Sequence, residues 1–209
     1  MINFSTYRAS DADEMARLLG GIFARRDPPA VAVGLTPAEF ESFVRLFCPK
    51  AAVEELTIVA RSAATGEMIG ALLTEDAAST LPDGMEQLSP KFDPVFDILG
   101  QLDADYRTGR TVRPGESLHL FLLGVASHFA GKGVAQGLVE ACLAHGAGKK
   151  YRSAVTEATN KTSQHIFRKL GFLERVRRSY EDHLFNGRSF FGAIADQGGP
   201  ILMEKQLTP

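Results

Sequence analysis

The most constraining stretch of the chain is Leu122-Leu123-Gly124-Val125-Ala126-Ser127-His128-Phe129-Ala130-Gly131-Lys132-Gly133-Val134-Ala135. The run Leu118 to Val125 is almost continuously apolar, the pattern of a strand buried on both faces. A glycine-bearing turn follows, and Val134 to His145 reads as a helix that Gly146 and Gly148 stop. When a strand passes through a tight turn into a helix, the first helical amides lack partners at the positive end of the helix dipole. That is an anion site suited to a phosphate or pyrophosphate. Two familiar phosphate motifs fail here. A P-loop needs glycine at 126 and Ser or Thr after the lysine, where the chain has Ala126 and Gly133. A dinucleotide GxGxxG needs a third glycine where Gln136 stands, and too little chain follows for a doubly wound sheet. A plain tight turn without a ligand remains open on this segment alone.

The flanks set the frame. Ile2 to Tyr7 reads as a strand, and Ser10, with Asp13 three residues on, opens a helix whose apolar face is Met15, Leu18, Leu19, Ile22 and Phe23. Pro28-Pro29 is expected to hold an extended turn. Thr36-Pro37 with Glu39 is a capping box that starts a second helix with the face Phe40, Phe43, Val44 and Phe47. Leu56 to Ala60 and Met68 to Thr74 read as a hairpin around Ala64-Thr65-Gly66. Asp76 to Glu116 is rich in turn formers and carries one helical patch from Val95 to Leu102. A connection this long is expected to be functional or mobile. Ala154 to Ala158 reads as a strand and Lys161 to Leu170 as a helix with Gly171 at its left-handed cap. The tail offers a strand from Leu173, a turn at Asn186-Gly187 and a last strand at Ile201 to Leu207. The order is mixed α/β with a strand-helix-strand-helix centre.

At 209 residues the chain is about 1.4 domains by length. The surplus over one domain lies mainly in 76–116. A net charge of −2 argues against a nucleic-acid partner. No apolar run approaches the roughly 20 residues that span a bilayer, so no membrane partner is expected. Met1 to Glu14 lacks the basic start and apolar core of a signal peptide. Cys48 and Cys142 are far apart with no metal spacing. No metal is expected, and the thiols read as reduced and cytoplasmic.

Downstream of the glycine turn stands Asn160-Lys161-Thr162-Ser163-Gln164-His165-Ile166-Phe167-Arg168-Lys169-Leu170-Gly171-Phe172. The two segments together resemble the coenzyme-binding and second-helix motifs of the GNAT superfamily of N-acyltransferases. Gly133 and Ala135 fit the first motif, with Gly131 also commonly present and Ala130 in place of its Gln or Arg. Asn160, Ser163, Ile166, Lys169, Gly171 and Phe172 fit the second, with Phe167 in place of a tyrosine. Phe23 with Asp27-Pro28, Lys91-Phe92 through Leu102-Asp103, and Thr156-Glu157-Ala158-Thr159 are similar to the insect-type arylalkylamine N-acetyltransferases. The resemblance implies the GNAT fold over residues 1–209 as a single α/β (α+β) acyltransferase domain. Its mixed, mostly antiparallel central sheet is splayed at the coenzyme A site and flanked by helices, with a helical insertion at about 76–116.

It further implies acetyl-CoA-dependent transfer to the primary amine of a small molecule, arylalkylamine or polyamine-like, by a monomer or homodimer. Gly131, Lys132, Gly133, Val134 and Ala135 would hold the pyrophosphate. The main chain of Leu123, Gly124 and Val125 would pair with the pantetheine arm, with Asn160, Ser163 and Phe167 alongside. A backbone N–H near Val125 would polarise the thioester carbonyl. Lys132 reads equally as a phosphate contact or a solvated turn lysine. For the general base, Asp27 stands where that branch has a glutamate, and His119 lies in a strand where a vertebrate relative has histidine, on a face expected to include Phe121 and Leu123. Glu157 and Glu116 are further options. Phe167 cannot donate a proton, which leaves Ser163, one turn earlier, or Tyr180 to protonate the leaving thiolate. Two rivals remain: a non-catalytic coenzyme A sensor and a protein or peptide N-acetyltransferase.

Overall fold

The computed structural model describes residues 1–207. Seven strands, β1 (Ile2–Thr6), β2 (Ile58–Ser62), β3 (Met68–Asp76), β4 (Ser117–Val125), β5 (Ser153–Ala158), β6 (Leu173–Arg177) and β7 (Ile201–Gln206), form one sheet in the order β1-β2-β3-β4-β5-β7-β6. Every neighbouring pair is antiparallel except β4 and β5. That parallel pair is also the shortest. It runs only over Ser117–His119 against Ser153–Val155, and then the strands part.

Among the described residues five α-helices cover the sheet. On one face, α1 (Ala12–Arg26) and α3 (Pro37–Glu54) pack over β2 to β4 through Leu19, Phe43, Phe47 and Leu73. On the same face α4 (Asp93–Arg107) covers β5 and β7 through Leu102, Tyr106, Val155 and Leu202. The opposite face carries α5 (Val134–Gly148) and α6 (Lys161–Lys169), with Leu118, Leu138, Cys142 and Phe167 between them and the sheet. Among the described residues no helix is long and apolar enough to cross a membrane.

Most elements follow the local signals. The Thr36 hydroxyl accepts from the Glu39 amide at 3.2 Å, and the Glu39 carboxylate accepts from the Thr36 amide at 2.8 Å, the capping box that the spacing predicts. Asn186 and Gly187 both take positive φ, and Phe185 bridges Arg188 across that turn. Four details differ. Pro28-Pro29 starts α2 (Pro28–Ala32) instead of an extended turn. At the first helical positions a missing N–H costs nothing, and Asp27 supplies the cap. The first turn of the N-terminal helical segment is tied by the Asp11 carboxylate accepting from the Arg8 amide at 2.9 Å, so Ser10 and Asp13 are not its box. The helix α5 runs through Gly146 and Gly148. Gly146 is there for close packing, since a Cβ would stand 2.4 Å from a Leu118 methyl. Finally, β4 bulges, pairing Leu73 with Leu122 but Thr74 with Leu120. The bulge turns Leu123 away from the face shared by His119 and Phe121 and toward α5.

The 76–116 segment is pinned at its base. The Asp76 carboxylate accepts from the Ala78 and Gly115 amides and from the Tyr151 hydroxyl, at 2.8, 2.6 and 3.0 Å. It therefore forms a wall beside the sheet, with α4 as its main part.

The crossing of α1 and α3 depends on Gly20, where a Cβ would meet the Glu41 backbone at 2.8 Å. Backbone cannot yield as a flexible side chain can, so Gly20→Ala should destabilise the fold by about 1–3 kcal/mol. Urea melts of the two proteins would show this as a lower midpoint with unchanged slope.

Candidate active site

The parting of β4 and β5 leaves a fork, and the candidate site residues gather around it. Ala126 N donates to Ile69 O at 2.8 Å, so the main chain at 126 points toward β3. With a period of two, the amides and carbonyls of Leu123 and Val125 point to the opposite edge. No β5 residue pairs with them among the described residues. The Thr156 hydroxyl, 2.9 Å from Leu120 O, fills the last position before the edge opens. Beyond the edge, Gly131 and Gly133 take φ of 74° and 78°, and Gly133 caps α5. Among the described residues the amides of Gly133, Val134, Ala135 and Gln136 find no backbone acceptor. Nothing lies within 4 Å of where a Cβ would project at Gly131 or Gly133. An open edge that leads to an open, donor-rich helix start fits an extended amide-bearing arm that ends in a pyrophosphate. Lys132 lies over the Phe129 ring, 4.9 Å from its centre.

The other donor-side residues are committed to the fold. The Asn160 carbonyl side chain accepts from the Ser163 amide at 2.9 Å, and the Ser163 hydroxyl donates to Asn160 O at 2.9 Å. Both therefore form the capping box of α6, and Ser163 spends its proton on a backbone carbonyl. Phe167 is 2 % exposed and packs edge-on against Phe172, 5.0 Å between ring centres. It belongs to the core behind the slot, in contrast to the donor-lining position that the motif implies. Gln164 escaped notice in the sequence, yet its buried amide donates to Ala158 O and Gly199 O and ties the end of β5 to the start of β7.

On the α1–α3–α4 face, two acidic clusters flank the fork and differ in kind. The first is Asp27, at the junction of α1 and α2 and only 9 % exposed. Its carboxylate accepts from the Thr159 hydroxyl at 2.6 Å and from the Ala30 amide at 3.4 Å. No cation pairs with it among the described residues. Burial raises its pKa, the two hydrogen bonds offset part of the rise, and the result is about 6. Tyr180, fully buried in the connection between β6 and β7, donates to Thr159 O at 2.7 Å. Burial first, and then the nearby Asp27 charge, raise its pKa. Its proton is thus spoken for.

The second cluster centres on His119. Its Nδ1 lies 3.0 Å from Glu75 Oε1 and its Nε2 lies 2.7 Å from Glu157 Oε2. Lys50 Nζ donates to Glu75 Oε2 at 2.6 Å. Burial opposes the charge on His119, but Glu157 and then Glu75 outweigh it and lift the pKa to about 10. Burial likewise opposes ionisation of both glutamates, yet His119, with Lys50 at Glu75, holds them below the ordinary range. The two carboxylates thus favour the imidazolium form of His119, which has no lone pair to offer. Glu116 lies at the far end of β4, where its carbonyl accepts from Arg152 and Ser153. Neither Glu75 nor Lys50 stands out in the sequence, because Lys50 lies in the last turns of α3 and Glu75 is the penultimate residue of β3, both ordinary places for a solvated charge.

Residues 97–172, from α4 through α6, match the model of the Acetyltransferase (GNAT) family. That match spans 76 of the 209 residues and includes the glycine turn and the helices α5 and α6. No curated protein sequence matches it significantly. Among solved structures, the C-terminal condensation domain of Ebony in complex with beta-alanyl-dopamine superposes with a TM-score of 0.90 at 15% identity, covering 99% of both chains. Arylalkylamine N-acetyltransferase 2 from Aedes aegypti gives 0.79 at 22%, covering 99% of each. The polyamine N-acetyltransferase of Drosophila melanogaster gives 0.78 at 16%, covering 99% of this chain and 100% of that one. The GNAT fold thus extends over the whole chain, including the α4 wall.

Two outcomes follow. Gly133→Glu would set a carboxylate in the open cradle at a position whose φ of 78° already strains any side chain, so coenzyme A affinity measured by calorimetry should be lost. Asp27 binds its proton more tightly folded than unfolded, so the cost of burying its charge is absent below about pH 4 and complete above about 6. Asp27→Asn should therefore raise the melting temperature at pH 8, equivalent to about 1–3 kcal/mol, and leave it nearly unchanged at pH 4.

Proposed function

We propose that this GNAT domain transfers an acetyl group from acetyl-CoA to the primary amine of a small molecule, with Asp27 as the general base. The observation that carries this reading is the buried, unpaired carboxylate of Asp27 at the open end of the fork, next to the end of β5. A base poised near pH 6 is ionised at neutral pH and still accepts a proton readily. The donor's arm would lie along the Leu123–Val125 edge, and its pyrophosphate would rest on the amides of Gly133 to Gln136. The Val125 amide would meet the thioester oxygen as negative charge develops. Asp27 would take a proton from the ammonium, so that the free amine attacks the carbonyl carbon. Thr159, held by Tyr180, fixes the direction of the Asp27 carboxylate. With Phe167 in the core and the Ser163 and Tyr180 protons committed to carbonyls, the second proton that the nitrogen sheds as the C–S bond breaks would pass through solvent to the leaving thiolate, and Asp27 would return the first proton to solvent.

The acceptor form that the site favours is an arylalkylamine. Phe23, Phe96 and Phe121 are partly exposed beside a larger phenylalanine cluster, a surface suited to an apolar or aromatic body. A polyamine-like acceptor needs a second anionic partner. Glu75 and Glu157 are already neutralised by Lys50 and His119, which leaves Asp27 alone. The TM-score of 0.90 to the Ebony domain favours one second reading: an acyl group larger than acetyl, such as β-alanyl, is passed to an aromatic amine.

Free-thiol release with paired panels of donors and amines separates these readings. The first requires acetyl-CoA turnover that depends on an arylalkylamine; turnover only with a β-alanyl thioester supports the second. No thiol release from any pair would leave a coenzyme A sensor. Asp27→Asn should lower kcat by about 10²–10⁴ and remove the rise in kcat/KM through about pH 6. His119→Gln should act less on kcat than Asp27→Asn. The reverse order would move the base to β4.

A further inference from the structure

His119 is the last residue of β4 that pairs with β5, opposite Val155. Glu157 lies two residues further along β5, where backbone pairing with β4 has ended. The 2.7 Å contact from His119 Nε2 to Glu157 Oε2 therefore crosses the apex of the fork. It joins by side chains two strands that have just ceased to be joined by their main chains. The joint continues through Glu75 on β3 to Lys50 on α3, whose ammonium also reaches Thr80 O at 2.9 Å at the base of the α4 wall. Four groups of alternating sign thus run from the wall to the fork. Around the imidazole the charged groups are Glu157 from β5, Glu75 from β3 and Lys50 from α3, with Glu54 on α3 behind Lys50 at 3.9 Å. Phe121 on β4 faces the ring at 5.2 Å between centres.

The charges balance only if His119 is a cation. A carboxylate oxygen stands within hydrogen-bond distance of each ring nitrogen, and an ionised carboxylate only accepts, so both contacts are satisfied only when both nitrogens carry a hydrogen. A neutral imidazole has one N–H and would leave one carboxylate facing a lone pair. That carboxylate would turn away, and the strap across the fork would open on one side. Lys50 supports the cation indirectly. It takes one oxygen of Glu75 and leaves the other aimed at Nδ1.

We propose that Glu75 and Lys50 are positioning residues. By holding His119 as a fixed cation against Glu157, they clamp β4 to β5 at the apex of the fork and set the width of the slot that the donor's arm enters. The use of the slot rests on the coenzyme-dependent reading above, whereas the clamp rests on the contacts alone. The clamp differs from the proton transfer assigned to Asp27, because it works only while no proton moves.

The test uses the full chain and two readouts. Nitrogen-15 spectra of the histidine rings, with His119→Gln to assign the signal, should show both His119 nitrogens protonated at pH 8. Glu75→Gln removes one anion from the ring and should lower its proton affinity tenfold or more, equivalent to at least about one pKa unit. In the same variant, calorimetric affinity for coenzyme A should weaken by roughly tenfold once the pH passes the lowered titration point of the ring, and recover below it, as the ring regains its proton. Lys50→Met, a milder change at a partly exposed side chain, should shift both in the same direction, and Lys50→Arg should restore them. The rise in kcat/KM near pH 6 should stay in place in all three. A neutral His119 ring at pH 8 in the unaltered protein would overturn the clamp. So would coenzyme A affinity that is unchanged in Glu75→Gln after the ring has lost its proton. If the unaltered protein does not bind coenzyme A, the donor reading fails, and the ring spectrum alone still decides whether the clamp exists.

Discussion

The structure depends on one failure of pairing. β4 and β5 hydrogen-bond over three residues and then part, which leaves a row of unpaired main-chain groups in the middle of a seven-stranded sheet. Unpaired backbone inside a protein is costly unless something meets it. Here the fold spends that cost at one place. The open edge of β4 leads to the glycine turn and the free amides of α5, so an extended ligand with its own amides and phosphates can complete both. The long antiparallel ladders on either side, β3 with β4 and β5 with β7, hold the two halves rigid while the centre stays open.

Two kinds of buried carboxylate stand at that opening, and their surroundings separate their roles. Asp27 is buried without a counter-cation, so its proton is held late, near pH 6. Glu75 and Glu157 are buried against His119 and Lys50 and stay ionised. The same argument reverses the expectation for histidine. An imidazole in an apolar strand ordinarily loses its charge on burial, but two carboxylates at 2.7 and 3.0 Å bind the proton more strongly than burial expels it. Such a cation contributes stability that is fully present below the ordinary histidine pKa and is lost as pH rises through about 10.

Much of this architecture was legible in the chain. The strand, glycine turn and helix from Leu118 to His145 are set by local periodicity and by residues that take positive φ. The α3 capping box, the Ala64-Thr65-Gly66 hairpin and the Asn186-Gly187 turn are local in the same sense. The structure departs from the local signals where one signal permits two outcomes. Pro28-Pro29 can break a helix or begin one, and the cap from Asp27 decides. Gly146 can end a helix or admit a neighbour, and the approach of Leu118 decides. At Ser163 and Phe167 the motif implies contact with the donor, and the structure adds helix capping for the one and core packing for the other.

The sequence by itself determined the element order and the phosphate-type turn, because each rests on contacts within a few residues, whereas Asp27 and His119 come only from the family resemblance. Only the tertiary structure decided which carboxylate lacks a cation, that the β4 bulge turns Leu123 away from His119, and that Lys50, Glu75, His119 and Glu157 form one chain. Those four residues come from four elements spread over more than a hundred positions. Their protonation depends on distances of about 3 Å that no spacing in the sequence encodes.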